Sequence, residues 1–226
     1  MNPLLTSPAL FVTGTDTEIG KTLVACALMH KLRELGRTVT PLKPVAAGYG
    51  SDGQNDDIRQ LRAAASRSTP ASEICPYLFE EAIAPHLAAQ HRSEVIQLPR
   101  ILEVYAHARQ SADCVVIEGA GGLRVPFGTT PYWDTTDLIR ALDCPVIVVV
   151  GMKLGCINHS ILTLTALQQQ EIPVAGWIAN QIDPDMSCIE ENLDTLKSCL
   201  AAPFLGHIPH LADGEDARQA SKFLNF

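Results

Sequence analysis

The chain has no Cys-x-x-Cys pair, no apolar run long enough to span a bilayer, and too few bases to balance its acids. Each shortage excludes something. The seven cysteines (Cys26, Cys75, Cys114, Cys144, Cys156, Cys188 and Cys199) are odd in number and lie mostly in apolar surroundings. That pattern argues against a disulfide framework or a zinc site and for small hydrophobes in a reducing compartment. The most apolar stretch, CPVIVVVGM over residues 144–152, falls far short of the roughly 20 residues a spanning helix requires. The opening MNPLLTSPAL lacks the basic flank of a secretory signal, so a cytoplasmic location is expected. With 17 Lys and Arg against 25 Asp and Glu, the net charge of -8 argues against nucleic acid or an anionic membrane as a partner. A small positive pocket for a phosphate remains compatible with it.

What is present is a repeated alternation of short β-branched runs with helical stretches. Strands are expected over residues 9–14, 38–45, 114–119, 145–151, 174–180 and 204–209. Between them, KTLVACALMHKLRELG places Leu23, Ala27, Leu28, Leu32 and Leu35 on one side and stops at Gly36. Further helices are expected near 57–66, 97–110, 134–142, 158–170 and 187–200, and loops with short helices over 47–96. The pattern predicts an α/β fold, a single domain over residues 1–226, with a mostly parallel sheet covered by helices on both faces. In such a sheet ligands collect at the carboxyl ends of the strands. Here those ends read TGTDTEIGKT, KPVAAG, EGAGG, GMKLGC and ANQ.

The stretch FVTGTDTEIGKT, residues 11–22, ends like a phosphate-binding loop but has five residues between Gly14 and Gly20 where the usual motif has four. Its context still fits. An apolar strand runs into the loop, and a helix opening at Gly20–Lys21 offers free N–H groups and a positive end to a phosphate. Lys21 suits outer phosphates and the Thr22 hydroxyl suits magnesium. The plainer alternative is a helix-capping turn with Asp16 or Thr17 as the cap.

Magnesium needs further oxygen ligands. Glu118 stands at a strand tip before the glycines of GAGG. Asp56 and Asp57 precede a helix, and each is equally readable as its cap. Lys43 interrupts an apolar strand before Pro44, where it either faces an anion or pairs with a neighbouring acid. Lys153 also caps a strand and reads equally well as a surface residue. Trp177 reads as core, and the histidines show no metal-ligand spacing.

Taken together, FVTGTDTEIGKT, LKPVAAG, VIEGAGG, VVGMKLGCINH, GWIAN and LGHIP resemble the dethiobiotin synthetases, ATP-dependent carboxylases that close a ureido ring, over residues 9–211. The resemblance implies a P-loop NTPase-like fold that joins 7,8-diaminononanoate and CO2 with MgATP. It implies that Thr15, Asp16, Glu18, Ile19, Gly20, Lys21 and Thr22 hold ATP, and that Asn180 reads the adenine edge in a slot closed by Pro209. Magnesium falls to Thr22, Asp57 and Glu118. Lys21, Lys43 and Thr17 carry the chemistry, with Thr17, Lys43 and Ala47 against the diamine and its carbamate. Gly155, Cys156 and Asn158 reach the substrate's carboxylate from the second subunit of a homodimer with shared sites.

Two positions depart from the family habit: Ala47 replaces a common serine and Asn192 a common tyrosine. Related P-loop amidating synthetases and dimeric ATPase switches usually carry a second lysine upstream in the loop. GTDTEIGKT has none before Lys21.

Overall fold

A computed structural model describes residues 3–211 and 216–226. The chain begins α1 (Pro3–Thr6), β1 (Ala9–Gly14), α2 (Lys21–Glu34), β2 (Val39–Leu42), β3 (Val45–Ala47) and α3 (Asp56–Ala64). It continues through α4 (Ala71–Ile74), β4 (Tyr77–Phe79), α5 (Pro85–His91), α6 (Leu98–Arg109) and β5 (Cys114–Glu118). Then come β6 (Pro126–Thr129), β7 (Tyr132–Asp134), α7 (Thr135–Leu142), β8 (Val146–Met152) and α8 (Cys156–Gln169). It closes with β9 (Val174–Gln181), α9 (Ile189–Cys199), β10 (Phe204–Ile208) and α10 (Ala217–Ser221).

Six strands form one parallel sheet in the order β10-β9-β8-β1-β5-β2. Strands β1, β5 and β8 are buried at every position, which is why they read as continuous apolar runs and not as alternating ones. The period of two still sorts the residues by face. Phe11, Val115, Val148 and Trp177 belong to one core, and Leu10, Val12, Val116 and Ile147 to the other, which is built against α2. Trp177 is fully buried, its ring tilted against Phe204 at 4.6 Å between centroids. At the β10 edge, Leu224 bridges to Gly206, so the C-terminal segment covers part of that exposed edge.

After β1 the chain moves to the β2 edge, while β8, β9 and β10 build outward on the other side. The order therefore reverses beside β1, and the crevice at that reversal is where this architecture receives ligands. Register brings the polar residues to one level. Val12 pairs with Glu118 and Leu42 with Ile117, so Lys43, next in the chain, arrives beside Glu118 at the sheet's carboxyl edge.

The strand expected over 38–45 divides in two. Pro44 has no N–H for a ladder, and the Lys43 amide donates to the Ile74 carbonyl at 2.8 Å instead of continuing along β5. The chain leaves the main sheet there, and β3 pairs with β4 in a separate two-stranded piece. The segment 47–96 contains short helices as expected, α3, α4 and α5, and adds one short strand, β4, that the sequence did not suggest. The antiparallel pair β6–β7, absent from the sequence expectation, follows the GAGG turn. The α8 helix begins at Cys156, two residues earlier than expected, directly after Gly155 at φ 95°. Among the described residues no helix is long and apolar enough to cross a membrane.

Candidate active site

The loop after β1 turns sharply twice. Glu18 and Gly20 both have positive φ, 56° and 77°. At Gly20 a side chain would meet both that backbone conformation and the Asn180 amide, so glycine is required by two independent constraints. Asn180, on β9 and almost fully buried, donates from Nδ2 to the Ile19 carbonyl at 2.9 Å. This bond fastens the loop to the sheet just before α2 begins. Asp16 is tied from the other side, its Oδ2 accepting from Lys153 Nζ at 2.8 Å. That bond and the Thr17 amide hold the Asp16 carboxyl below its ordinary value.

Beneath the loop four ionisable groups and a hydroxyl converge. Lys43 Nζ donates to Asp57 Oδ2 at 2.5 Å and to Glu118 Oε1 at 2.7 Å. Thr22 Oγ1 lies 2.8 Å from Asp57 Oδ1 and 2.9 Å from Glu118 Oε1. Lys43 and Glu118 are only 4 % and 1 % exposed, which makes their pairing obligatory. Burial by itself depresses the Lys43 ammonium, but the two carboxylates outweigh it and its pKa is raised. Burial and the adjacent Asp57 raise Glu118 despite the lysine. For Asp57, burial is outweighed by Lys43, Thr22 and Lys21, and its pKa falls. Lys21 is lowered, chiefly by burial and further by the Lys43 charge, and its Nζ donates to the Asp16 carbonyl at 2.9 Å.

The donor count leaves room for a cation. Thr22 has one proton for two carboxylate neighbours, and among the described residues Glu118 Oε2 is buried without a hydrogen-bond partner. Two carboxylates and a hydroxyl form an all-oxygen set, which fits a magnesium ion that keeps waters and takes phosphate oxygens as its other ligands. Among the described residues no group of three or more His, Cys, Asp or Glu side chains is placed to hold a metal.

These groups open into a cavity of about 810 Å³. Thr17, Glu18, Ile19, Gly20, Lys21, Thr22, Lys43, Ala47, Asp57 and Glu118, all singled out from the sequence, line it. Thr15, Asp16, Asn180 and Pro209 do not, and neither do Gly155, Cys156 and Asn158. Asp56, the alternative to Asp57, instead pairs with Arg59 at 2.8 Å on the exposed side of α3. Lys153, left open by the sequence, anchors the loop through Asp16. The cavity also includes side chains that sequence reasoning passed over: Gln60 on α3 and the Ala82–Ile83–Ala84–Pro85 segment. The 82–85 segment carries no chemical signature, and only its fold brings it here. Gln60 had a usable signal in its spacing, one helical turn after Asp57.

A family model described as an AAA domain matches residues 8–218. The solved structure of a ParA family ATPase from Chlorobium tepidum superposes with a TM-score of 0.56 at 15% identity, covering 95% of this chain and 90% of that one, a likeness of fold alone. Full-length relatives are much nearer in sequence. The ATP-dependent dethiobiotin synthetase BioD of Aromatoleum aromaticum is 46% identical over 96% of this chain and 97% of its own. Its counterpart from Ralstonia nicotianae is 46% identical over 95% and 94%. Identity at this level along almost the whole of both chains exceeds what a shared fold requires: the chain belongs to the dethiobiotin synthetase family.

Proposed function

We propose that this chain, acting as one catalytic domain, converts 7,8-diaminononanoate, CO2 and MgATP into dethiobiotin, ADP and phosphate. The observation that carries this reading is the two-sided character of the cavity. Lys21, Lys43, Asp57 and Glu118 make one part ionic, while Val45, Ala46, Ala47, Ile83 and Ala84 make another apolar. The apolar part suits the alkyl chain of a fatty diamine, at roughly 0.8 kcal/mol for each methylene buried.

An amine and CO2 form a carbamate readily, but a carbamate oxygen is a poor leaving group for ring closure. In the scheme, that oxygen attacks the γ-phosphoryl group of ATP, and ADP departs. The second amine then attacks the carbon of the carbamic-phosphoric anhydride and releases phosphate. Negative charge shifts among oxygens throughout, so the protein's task is to hold fixed positive charge where it moves. Lys43 spends two of its three N–H bonds on Asp57 and Glu118, leaving one for a carbamate oxygen. Lys21, with one bond to Asp16, has two for phosphate oxygens. The free N–H groups at the start of α2 add the helix's positive end. Magnesium, held by Thr22, Asp57 and Glu118, would neutralise phosphate charge during transfer. Thr17 and Glu18, on the cavity wall, face the diamine. Asn180 and Pro209 bound the adenine slot.

A homodimer with shared sites is part of the proposal. Leu154 is 96 % exposed and Leu162 60 %, with Ile161 and Asn158 exposed nearby on α8. Residues 155–158 do not line their own chain's cavity, which supports delivery to a partner's site across that apolar face. Mass-spectrometric detection of the cyclic urea tests the whole reading. Folded, metal-replete protein that consumes no diamine and makes no urea sinks it.

A further inference from the structure

We infer that Gln60 is a positioning residue that hydrogen-bonds the free amine of the bound, carbamylated diamine; this rests on the function proposed above. Gln60 lies on α3 one turn beyond Asp57, so its side chain enters the same cavity on the same helix face. Among the described residues its amide makes no hydrogen bond, although the residue is half-buried. The other cavity walls away from the loop, β3 and the 82–85 segment, offer only apolar side chains. A half-buried amide that lines the cavity and makes no bond within the described protein is open to pair with whatever fills the cavity.

The placement is fixed, not incidental. Asn55 caps α3, its Oδ1 accepting from the Ile58 amide at 3.1 Å, and its Nδ2 donates to the Gly48 carbonyl at 2.5 Å. That clamp joins the start of α3 to the residue after Ala47 and so sets Gln60 against the β3 wall. Asp57, Lys43 and Glu118 are engaged with one another at the charged end. A neutral amide one turn away accepts an N–H bond from an amine while favouring its protonated form far less than a carboxylate would, and a ring-closing amine must be unprotonated to attack. Gln60 Oε1 supplies that acceptor and holds the nitrogen toward the carbamate carbon.

Two variants test the assignment. Gln60→Leu keeps the packing and removes the hydrogen bond, so the diamine KM should rise by about three- to tenfold, the scale of one neutral hydrogen bond, with the MgATP KM and thermal midpoint unchanged. Gln60→Glu keeps an acceptor but adds charge that favours the ammonium form, so the pH at which kcat rises should move upward while the diamine KM stays near that of the parent. A purely structural residue would move the midpoint and leave that pH unaltered. If parent protein makes the urea and Gln60→Leu retains its diamine KM while Gln60→Glu retains the parent's pH profile, the assignment is overturned and the enzymatic reading stands. If the parent makes no urea, the failure lies in that reading instead.

Discussion

Replacing Lys43 by alanine probes the site most sharply, because this lysine is both a structural counter-ion and a proposed catalyst. The substitution removes bonds of 2.5 and 2.7 Å and leaves Asp57 and Glu118 facing each other without the cation that bridges them. Stranding one side of a buried ion pair costs about 3–5 kcal/mol. Asp57 is 38 % exposed and can be rehydrated, so the lower figure, about 3 kcal/mol, applies here. For a chain of this size that corresponds to a fall in the thermal midpoint of roughly 6–12 °C in metal-free buffer. Magnesium should restore part of the loss, since it takes the ammonium's place between the carboxylates. Turnover should fall by a factor on the order of 10² to 10³, as for loss of one preorganised stabiliser of developing charge. Affinity for a non-hydrolysable ATP analogue should stay near that of the parent, because Lys43 does not belong to the loop. Lys21→Ala, by contrast, should weaken nucleotide binding and turnover together. Calorimetric titration beside steady-state rates and thermal scans, with and without magnesium, measures all of these. Equal loss of nucleotide affinity in the two variants would put Lys43 in the phosphate site and refute the carbamate assignment.

Asp57→Asn should raise the magnesium concentration for half-maximal rate by at least about tenfold, whereas Asp56→Asn, whose carboxylate points to Arg59 and solvent, should leave the magnesium dependence unchanged. Asn180→Ala strands the buried Ile19 carbonyl, and a stability loss of about 1–3 kcal/mol should accompany a raised ATP KM; denaturant titration and initial rates check both. Leu162→Asp puts charge on the exposed apolar face of α8, so sedimentation should show a monomer with weakened diamine turnover. A variant that still sediments as a dimer would place the interface elsewhere.

Much of this was legible because the physics is local. Strands buried on both faces must be apolar throughout, so β1, β5 and β8 stand out, and polar residues at their carboxyl tips stand out with them. Lys43, Glu118 and Thr22 could each be singled out as chemically costly where they lie. Their mutual geometry could not be read, because it depends on sheet order. The sequence separates Thr22 from Glu118 by most of a hundred residues, and only the β1–β5 pairing makes them neighbours. The break after Lys43 was half visible in Pro44, but its cause, capture of the Lys43 amide by Ile74, is a tertiary contact. Asp16 and Asn180 illustrate the opposite limit. Their place in motifs points to nucleotide, and it gives no sign of the further task each has in the folded chain, holding the loop, Asp16 through Lys153 and Asn180 through Ile19. Ala84 and Ile83 carry no signal in sequence, and their part in the cavity comes wholly from the path of the chain through β4 and α5.

The central claim, that ATP activates a carbamate rather than reacting with water, is tested most directly by following oxygen. Carbon dioxide labelled with heavy oxygen is mixed with enzyme, diamine and MgATP, and the reaction is quenched before the label exchanges with solvent. The account predicts that each turnover leaves one labelled oxygen in the cyclic urea and delivers the other to the phosphate released with ADP. Unlabelled phosphate formed without the urea would mean that water, not the carbamate, attacks the γ-phosphoryl group, and would contradict the account.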